Sequence, residues 1–133
     1  MESATKQTVL MIDDDQCEVL IAKRVLSKIA PELGVDTAFS GEDGLAHLRS
    51  GRPLPALILV DLKISGMSGI DVVRQIRADE HLKHLPVIIL TNSTLEADRQ
   101  ESLAAGADDY LNKAFDINRF TSDIESLLQR YLG

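Results

Sequence analysis

The sequence has no tryptophan, one cysteine, three phenylalanines and two tyrosines among its 133 residues. A lone Cys17 cannot close an internal disulfide or build a cysteine-rich zinc site, so a reducing compartment is expected. Basic residues are scarce: 14 Lys and Arg stand against 21 Asp and Glu, for a net charge of −7. That shortage argues against nucleic-acid binding by this chain, because neutralising phosphates requires clustered Lys and Arg. Long apolar runs are missing as well. Stretches such as Ala56–Val60 and Val87–Leu90 fall far short of the roughly 20 residues a membrane span requires. Met1–Thr8 is polar and lacks the apolar core of a signal peptide. No Ser/Gly/Pro-rich linker interrupts the chain. The expectation is one acidic cytoplasmic domain over 8–133 behind a polar N-terminal tail over 1–7.

What is present alternates between two hydrophobic periods. Short apolar runs recur at Val9–Ile12, at Val35 with Ala38 and Phe39, at Leu57–Val60, at Val87–Leu90 and more weakly at Ala107–Leu111. Segments of helical spacing separate them. The first places Leu20, Ile21, Val25 and Ile29 on one face behind aspartates suited to N-capping, with Cys17 half-buried beside them. Glu42–Arg49 forms a short second helix, and a third carries Ile70, Val73 and Ile76. The fourth opens with Ser93 and Glu96 at capping-box spacing and stops at Gly106. The last aligns Ile117, Phe120, Ile124, Leu127, Leu128 and Tyr131. Continuous rather than alternating apolar strands mean that helices cover both sheet faces. The prediction is therefore an α/β fold, (βα)5, doubly wound around a five-stranded parallel sheet.

In such sheets chemistry gathers at the carboxyl ends of the strands, near the topological switch point. The first run ends in Asp13, Asp14 and Asp15, and the third in Asp61. The fourth ends in Thr91 and Asn92, the fifth in Asn112 and Lys113. Taken singly, an aspartate after a strand is usually a turn or cap residue, and a Lys there is usually solvated. Jointly they say more. With strand order 2-1-3-4-5, Asp13, Asp14 and Asp61 converge on one crevice, with Thr91 and Lys113 opposite. Crowded carboxylates repel, so a proton or a cation must enter, and a few hard oxygen ligands suit Mg²⁺. A triply acidic loop excludes a flavodoxin-type phosphate cradle, and neither glycine-rich nucleotide motif is present. A carboxylate beside a metal, with a lysine and a hydroxyl opposite, can act as a nucleophile toward phosphorus.

These residues resemble the receiver domain of two-component response regulators, from about Thr8 to Leu132. The match includes the thirty-residue step from Asp61 to Thr91 and the twenty-two-residue step from Thr91 to Lys113. The resemblance implies the flavodoxin-like receiver fold and makes Asp61 the phosphoacceptor. It implies Mg²⁺ held directly by Asp14 and Asp61, by Asp13 mostly through water, and by the backbone carbonyl of Lys63. Thr91 would bond the phosphoryl oxygen, Lys113 would neutralise it, and Tyr110 would be the switch aromatic. Gly69 matches the family's glycine eight residues beyond the acceptor, and Asp15 is left as an N-cap. The implied donor is a sensor histidine kinase or histidine phosphotransfer protein, docking on the first helix and adjacent loops. The implied output is a downstream protein, or a phosphorylation-dependent homodimer, reading the face of the fourth helix, fifth strand and fifth helix. The domain would catalyse its own phosphorylation and dephosphorylation without being an enzyme in the ordinary sense.

Four positions depart from the family pattern: Ser65 and Ala114 replace prolines, Ser68 replaces Asp, and Asn92 replaces a smaller residue. They bear on phosphoryl lifetime and loop geometry. Without proline a cis Lys113–Ala114 bond costs about 2.5–4 kcal/mol, so trans is expected. A rival reading is a haloacid-dehalogenase-like phosphatase using Asp13 of Asp13-Asp14-Asp15 as nucleophile, although position 17 is Cys and Asp61 goes unexplained. A pure interaction module that never turns over is a second rival. His47, His81 and His84 lack metal-like spacing and read as surface residues. No effector domain lies within the sequence, so it is either a stand-alone regulator or a piece of a longer protein.

Overall fold

The computed structural model describes residues 7–113 and 116–132. Its elements alternate strictly: β1 (Thr8–Ile12), α1 (Gln16–Ile29), β2 (Gly34–Ala38), α2 (Gly41–Leu48), β3 (Leu57–Asp61), α3 (Gly69–Ala78), β4 (Val87–Thr91), α4 (Glu96–Ala105), β5 (Asp109–Asn112) and α5 (Ile117–Leu132). The five strands are parallel in the order β2-β1-β3-β4-β5. β1 and β3 are therefore neighbours, and the crossover connections leave in opposite directions on either side of them. A crevice opens there above the carboxyl ends.

Each central strand splits its side chains between two cores, as the period-two pleat requires. Leu10, Ile12, Ile58, Val60, Val87 and Ile89 face α2 and α3, meeting Leu45, Val72, Val73 and Ile76. Val9, Met11, Leu57, Leu59, Ile88 and Leu90 face α1 and α5, meeting Val25, Leu26, Phe120, Ile124 and Leu127. Burial on both faces explains why the strands read as unbroken apolar runs.

Local signals set the helix ends. Asp15 caps α1 by accepting from the backbone N–H groups of Cys17 and Glu18 at 2.9 and 3.1 Å. Ser40 caps α2, and Ser68 caps α3 by accepting from the Asp71 N–H at 3.2 Å. At Ser68 the departure from the family's Asp thus keeps a capping oxygen. Gly106 ends α4 at φ +118°, where a side chain would be strained.

Three expectations need correction. The buried stripe of α1 is Val19, Ala22, Val25 and Leu26, while Leu20 and Ile21 are 52% and 47% exposed and Cys17 is exposed. Several apolar residues are consecutive there, so spacing alone permitted two phasings, and only packing on the sheet selects one. The Ser93–Glu96 capping box does not form. Leu95 is the N-cap residue of α4, without a side-chain cap bond, and the Ser93 hydroxyl instead donates to Asp98. On α5, Ile117 is 50% exposed, so the apolar stripe begins at Phe120. His81 and His84 are exposed, whereas His47 is half-buried with Nε2 3.6 Å from an Asp36 oxygen. The Lys113–Ala114 bond lies outside the described residues.

Candidate functional site

The carboxyl ends of β1, β3, β4 and β5 each deliver one polar side chain to the crevice. Asp13 follows β1, and its N–H donates to the Ala38 carbonyl at 3.0 Å, continuing the sheet one residue beyond the strand. Asp61 ends β3 opposite Leu90, and Thr91 ends β4 opposite Asn112. The Lys113 N–H donates to the Thr91 carbonyl at 2.7 Å, which ties the lysine to β4. Because these placements come from backbone ladders, the side chains converge without long loops to order.

Lys113 is the centre of the site. Its Nζ donates to Asp13 Oδ2 at 3.0 Å, to Asp61 Oδ1 at 3.3 Å and to Glu18 Oε1. Asp13 is 2% exposed, and its other oxygen accepts from the Asp15 N–H at 2.9 Å. Burial pushes the carboxyls of both Asp13 and Asp61 above the usual range, and Lys113 only partly offsets it. Burial opposes charge on Lys113 too, but the Glu18 bond and the Asp61 and Asp13 charges outweigh it and hold the ammonium well above its usual pKa.

Asp14 behaves differently. It is exposed, and its Oδ2 accepts from both the N–H and the hydroxyl of Ser65, at 3.0 and 2.9 Å. Those two donors, the N–H first, hold its carboxyl below the usual range. A proline at position 65 would have neither donor. Asp14, Asp61, Lys63 and Thr91 line one cavity of about 350 Å³ with Asp15, Glu18, Asn92 and Ser93. Thr91 is 2% exposed, and its Oγ1 accepts from the Ser93 N–H at 3.0 Å. The Ser93 carbonyl in turn accepts from Tyr110 Oη at 3.4 Å and Asn112 Nδ2 at 2.6 Å. Thr91 and Tyr110 are thereby linked through a single loop residue.

The side chains of Asp13, Asp14, Asp61, Thr91 and Lys113 lie at the crevice or its rim, and the tight acidic trio differs from expectation. Asp13, Glu18 and Asp61 each place a carboxylate oxygen within 4.8 Å of the others, while Asp14 turns to Ser65. Sequence reasoning did not single out Glu18. Its signal was its place three residues after the N-cap Asp15, where an acid normally reaches back to the cap N–H. Here Asp13 already takes that N–H, so Glu18 turns to Lys113, and its Oε2 accepts from Asn92 Nδ2 at 3.3 Å. Three carboxylates face one ammonium, which leaves negative charge in excess. Such a set of hard oxygen donors fits a divalent cation.

The fold and crevice define a class: a doubly wound parallel α/β domain whose strand ends carry an acidic crevice bridged by one lysine. The family model for the response regulator receiver domain matches residues 9–125, and the chain belongs to that family. It is 36% identical over 126 residues to the DNA-binding response regulator MtrA of Mycobacterium tuberculosis, covering 94% of this chain and 52% of MtrA. It is 33% identical over 132 residues to the response regulator PleD of Caulobacter vibrioides, covering 92% of this chain and 28% of PleD. The chain thus spans about half the length of MtrA and less of PleD. Among solved structures, a response regulator in red light signalling of R. palustris superposes with a TM-score of 0.87 at 29% identity, covering 96% of this chain and 94% of that one. The phosphorylated cyanobacterial phytochrome response regulator RcpA shares the fold, with a TM-score of 0.89 at 22% identity and coverage of 97% and 96%. Family membership overturns the phosphatase reading. Asp13 is no free nucleophile either, since it is buried between Lys113 and the Asp15 N–H. Among the described residues, no helix is long and apolar enough to cross a membrane.

Proposed function

We propose that Asp61 accepts a phosphoryl group from a phosphohistidine, on a cytoplasmic histidine kinase or phosphotransfer protein, in a Mg²⁺-dependent reaction that the receiver itself promotes. The observation that carries this reading is Lys113 Nζ bridging Asp13 and Asp61, with the Thr91 hydroxyl on the same crevice. An Asp61 oxygen attacks phosphorus, and the P–N bond breaks with its electron pair passing to the imidazole, whose other ring nitrogen carries a proton. The products are an acyl phosphate and a neutral histidine. Asp13, Asp14, Asp61 and the Lys63 carbonyl would hold Mg²⁺, which when bound supplies positive charge against the phosphoryl oxygens. Lys113 screens another phosphoryl oxygen, and the Thr91 hydroxyl donates to a third. Water attacking the same phosphorus later breaks its bond to the Asp61 oxygen, releasing inorganic phosphate and restoring the carboxylate.

Drawing Thr91 toward phosphorus removes the acceptor that its Oγ1 offers the Ser93 N–H. Ser93 then shifts, and with it the seat of Tyr110. The surface that reads this change is the α4-β5-α5 face, where Leu95 is 61% exposed and Ile117 50% exposed. Its reader is a downstream protein or a second copy of the chain. The test is labelling with acetyl phosphate and Mg²⁺, followed by mapping of the acyl phosphate. One phosphoryl group on Asp61, abolished by EDTA and by Asp61→Asn, is expected. In Thr91→Ala the label should persist while the phosphorylation-dependent NMR shift of Tyr110 disappears. Label on any other carboxylate, or labelling indifferent to metal, refutes the assignment.

A further inference from the structure

An ammonium has three hydrogens, and those of Lys113 are fully taken by Asp13, Asp61 and Glu18. Phosphorylation turns the Asp61 carboxylate into an acyl phosphate and carries its charge outward onto the phosphoryl oxygens, so the ammonium must follow that charge and stretch its bond to Asp13 or to Glu18. These two do not give way equally. The Asp13 side chain is 3% exposed, and separating a buried pair leaves an uncompensated charge. Glu18 is 31% exposed and can rehydrate where it stands. Its backbone is anchored, since its N–H donates to Asp15 Oδ1 at 3.1 Å, so release is a movement of the side chain alone. The same carboxylate accepts from Asn92 Nδ2 at 3.3 Å and so spans the crevice mouth from α1 to the loop after β4.

We propose that Glu18 is a positioning residue for Lys113, holding the ammonium across the crevice mouth in the unphosphorylated protein and surrendering it when Asp61 is phosphorylated. The proposal rests on Asp61 as the phosphoacceptor. Two consequences follow. Glu18 opposes phosphorylation, because its hold on Lys113 must be broken and its charge repels an anionic donor. It also sets where the ammonium rests before the reaction.

The test compares wild type with Glu18→Gln, which keeps the shape of the side chain and removes its charge. At saturating Mg²⁺ the rate of phosphorylation by acetyl phosphate should rise roughly three- to fivefold, the upper range for an ion pair of this exposure. The Lys113 ammonium resonance, followed by NMR, should be displaced in the unphosphorylated variant. It should then move less on phosphorylation than in wild type, because the lysine no longer changes partner. A purely structural Glu18 would lower the melting temperature and leave those two NMR comparisons unchanged. A rate equal to or slower than wild type, a Lys113 resonance indifferent to the substitution, or loss of folding overturns the proposal. Wild type that takes no label on Asp61 instead overturns the assignment beneath it, so the two failures are distinguishable.

Discussion

Replacing Gly69 by alanine tests how tightly α3 is docked under the phosphoacceptor. Gly69 is the first residue of α3, and its N–H donates to the Leu62 carbonyl at 2.9 Å. A Cβ at this position would lie 2.9 Å from Leu62 Cα and closer still to the Asp61 carbonyl oxygen. Both are backbone atoms, so no rotamer change relieves the contact and the helix start must move. Overpacking of this kind costs about 1–3 kcal/mol. The lower chain entropy and better helix propensity of alanine return up to about 1 kcal/mol. The net expectation is a loss of roughly 1–2 kcal/mol, which for a domain of this size lowers the melting temperature by roughly 3–10 °C. The displaced atoms carry the Asp61 side chain, so acetyl-phosphate labelling should also slow about tenfold. Thermal denaturation and intact-mass labelling on the same sample report both effects. A variant as stable and as quickly labelled as wild type would show that the close approach does not constrain the site.

Two further predictions concern charge. Arg77 donates to the carbonyls of Gly106, Lys83 and Leu85 and to Asp108 Oδ2, at 2.7–2.8 Å throughout, joining the C-terminal ends of α3 and α4 to the start of β5. Arg77→Ala should cost about 2–4 kcal/mol in urea denaturation, and Arg77→Lys should recover little of it, since an ammonium cannot reproduce the fork; loss within error of zero would refute the staple. For Asp61, the folded carboxyl lies above its usual 3.8, so the folded state binds the proton more tightly than the unfolded chain. Its contribution to stability therefore falls as pH rises from that value through the raised one, and the charged form burdens the fold at pH 7. Asp61→Asn should melt several degrees above wild type at pH 7, with the gap closing as pH falls toward 4. A gap that widens on acidification would reverse the sign of this reasoning.

The central strands were legible in the sequence because burial on both faces leaves no polar residue inside a run, as in Leu57–Val60 and Val87–Leu90. Chain order then carried Asp13, Asp61, Thr91 and Lys113 to strand ends, and a parallel doubly wound sheet puts all such ends on one side. The residue types needed for an acidic, lysine-bearing crevice are therefore set by the order of amino acids alone. What each carboxylate does there was decided only by tertiary structure. Asp14 turns outward because Ser65, fifty-one residues away, offers it two donors, and Glu18 turns inward because Asp13 has already taken the capping N–H. The α1 stripe belongs with these. With Val19, Leu20, Ile21 and Ala22 consecutive, helical spacing permits more than one buried face, and contact with Met11, Leu59 and Phe120 selects the one built around Ala22, Val25 and Leu26. A sequence states which groups are available at which spacing. Hydrogen-bond competition and the exclusion of water between elements far apart in the chain choose among them, and both exist only once the chain has folded.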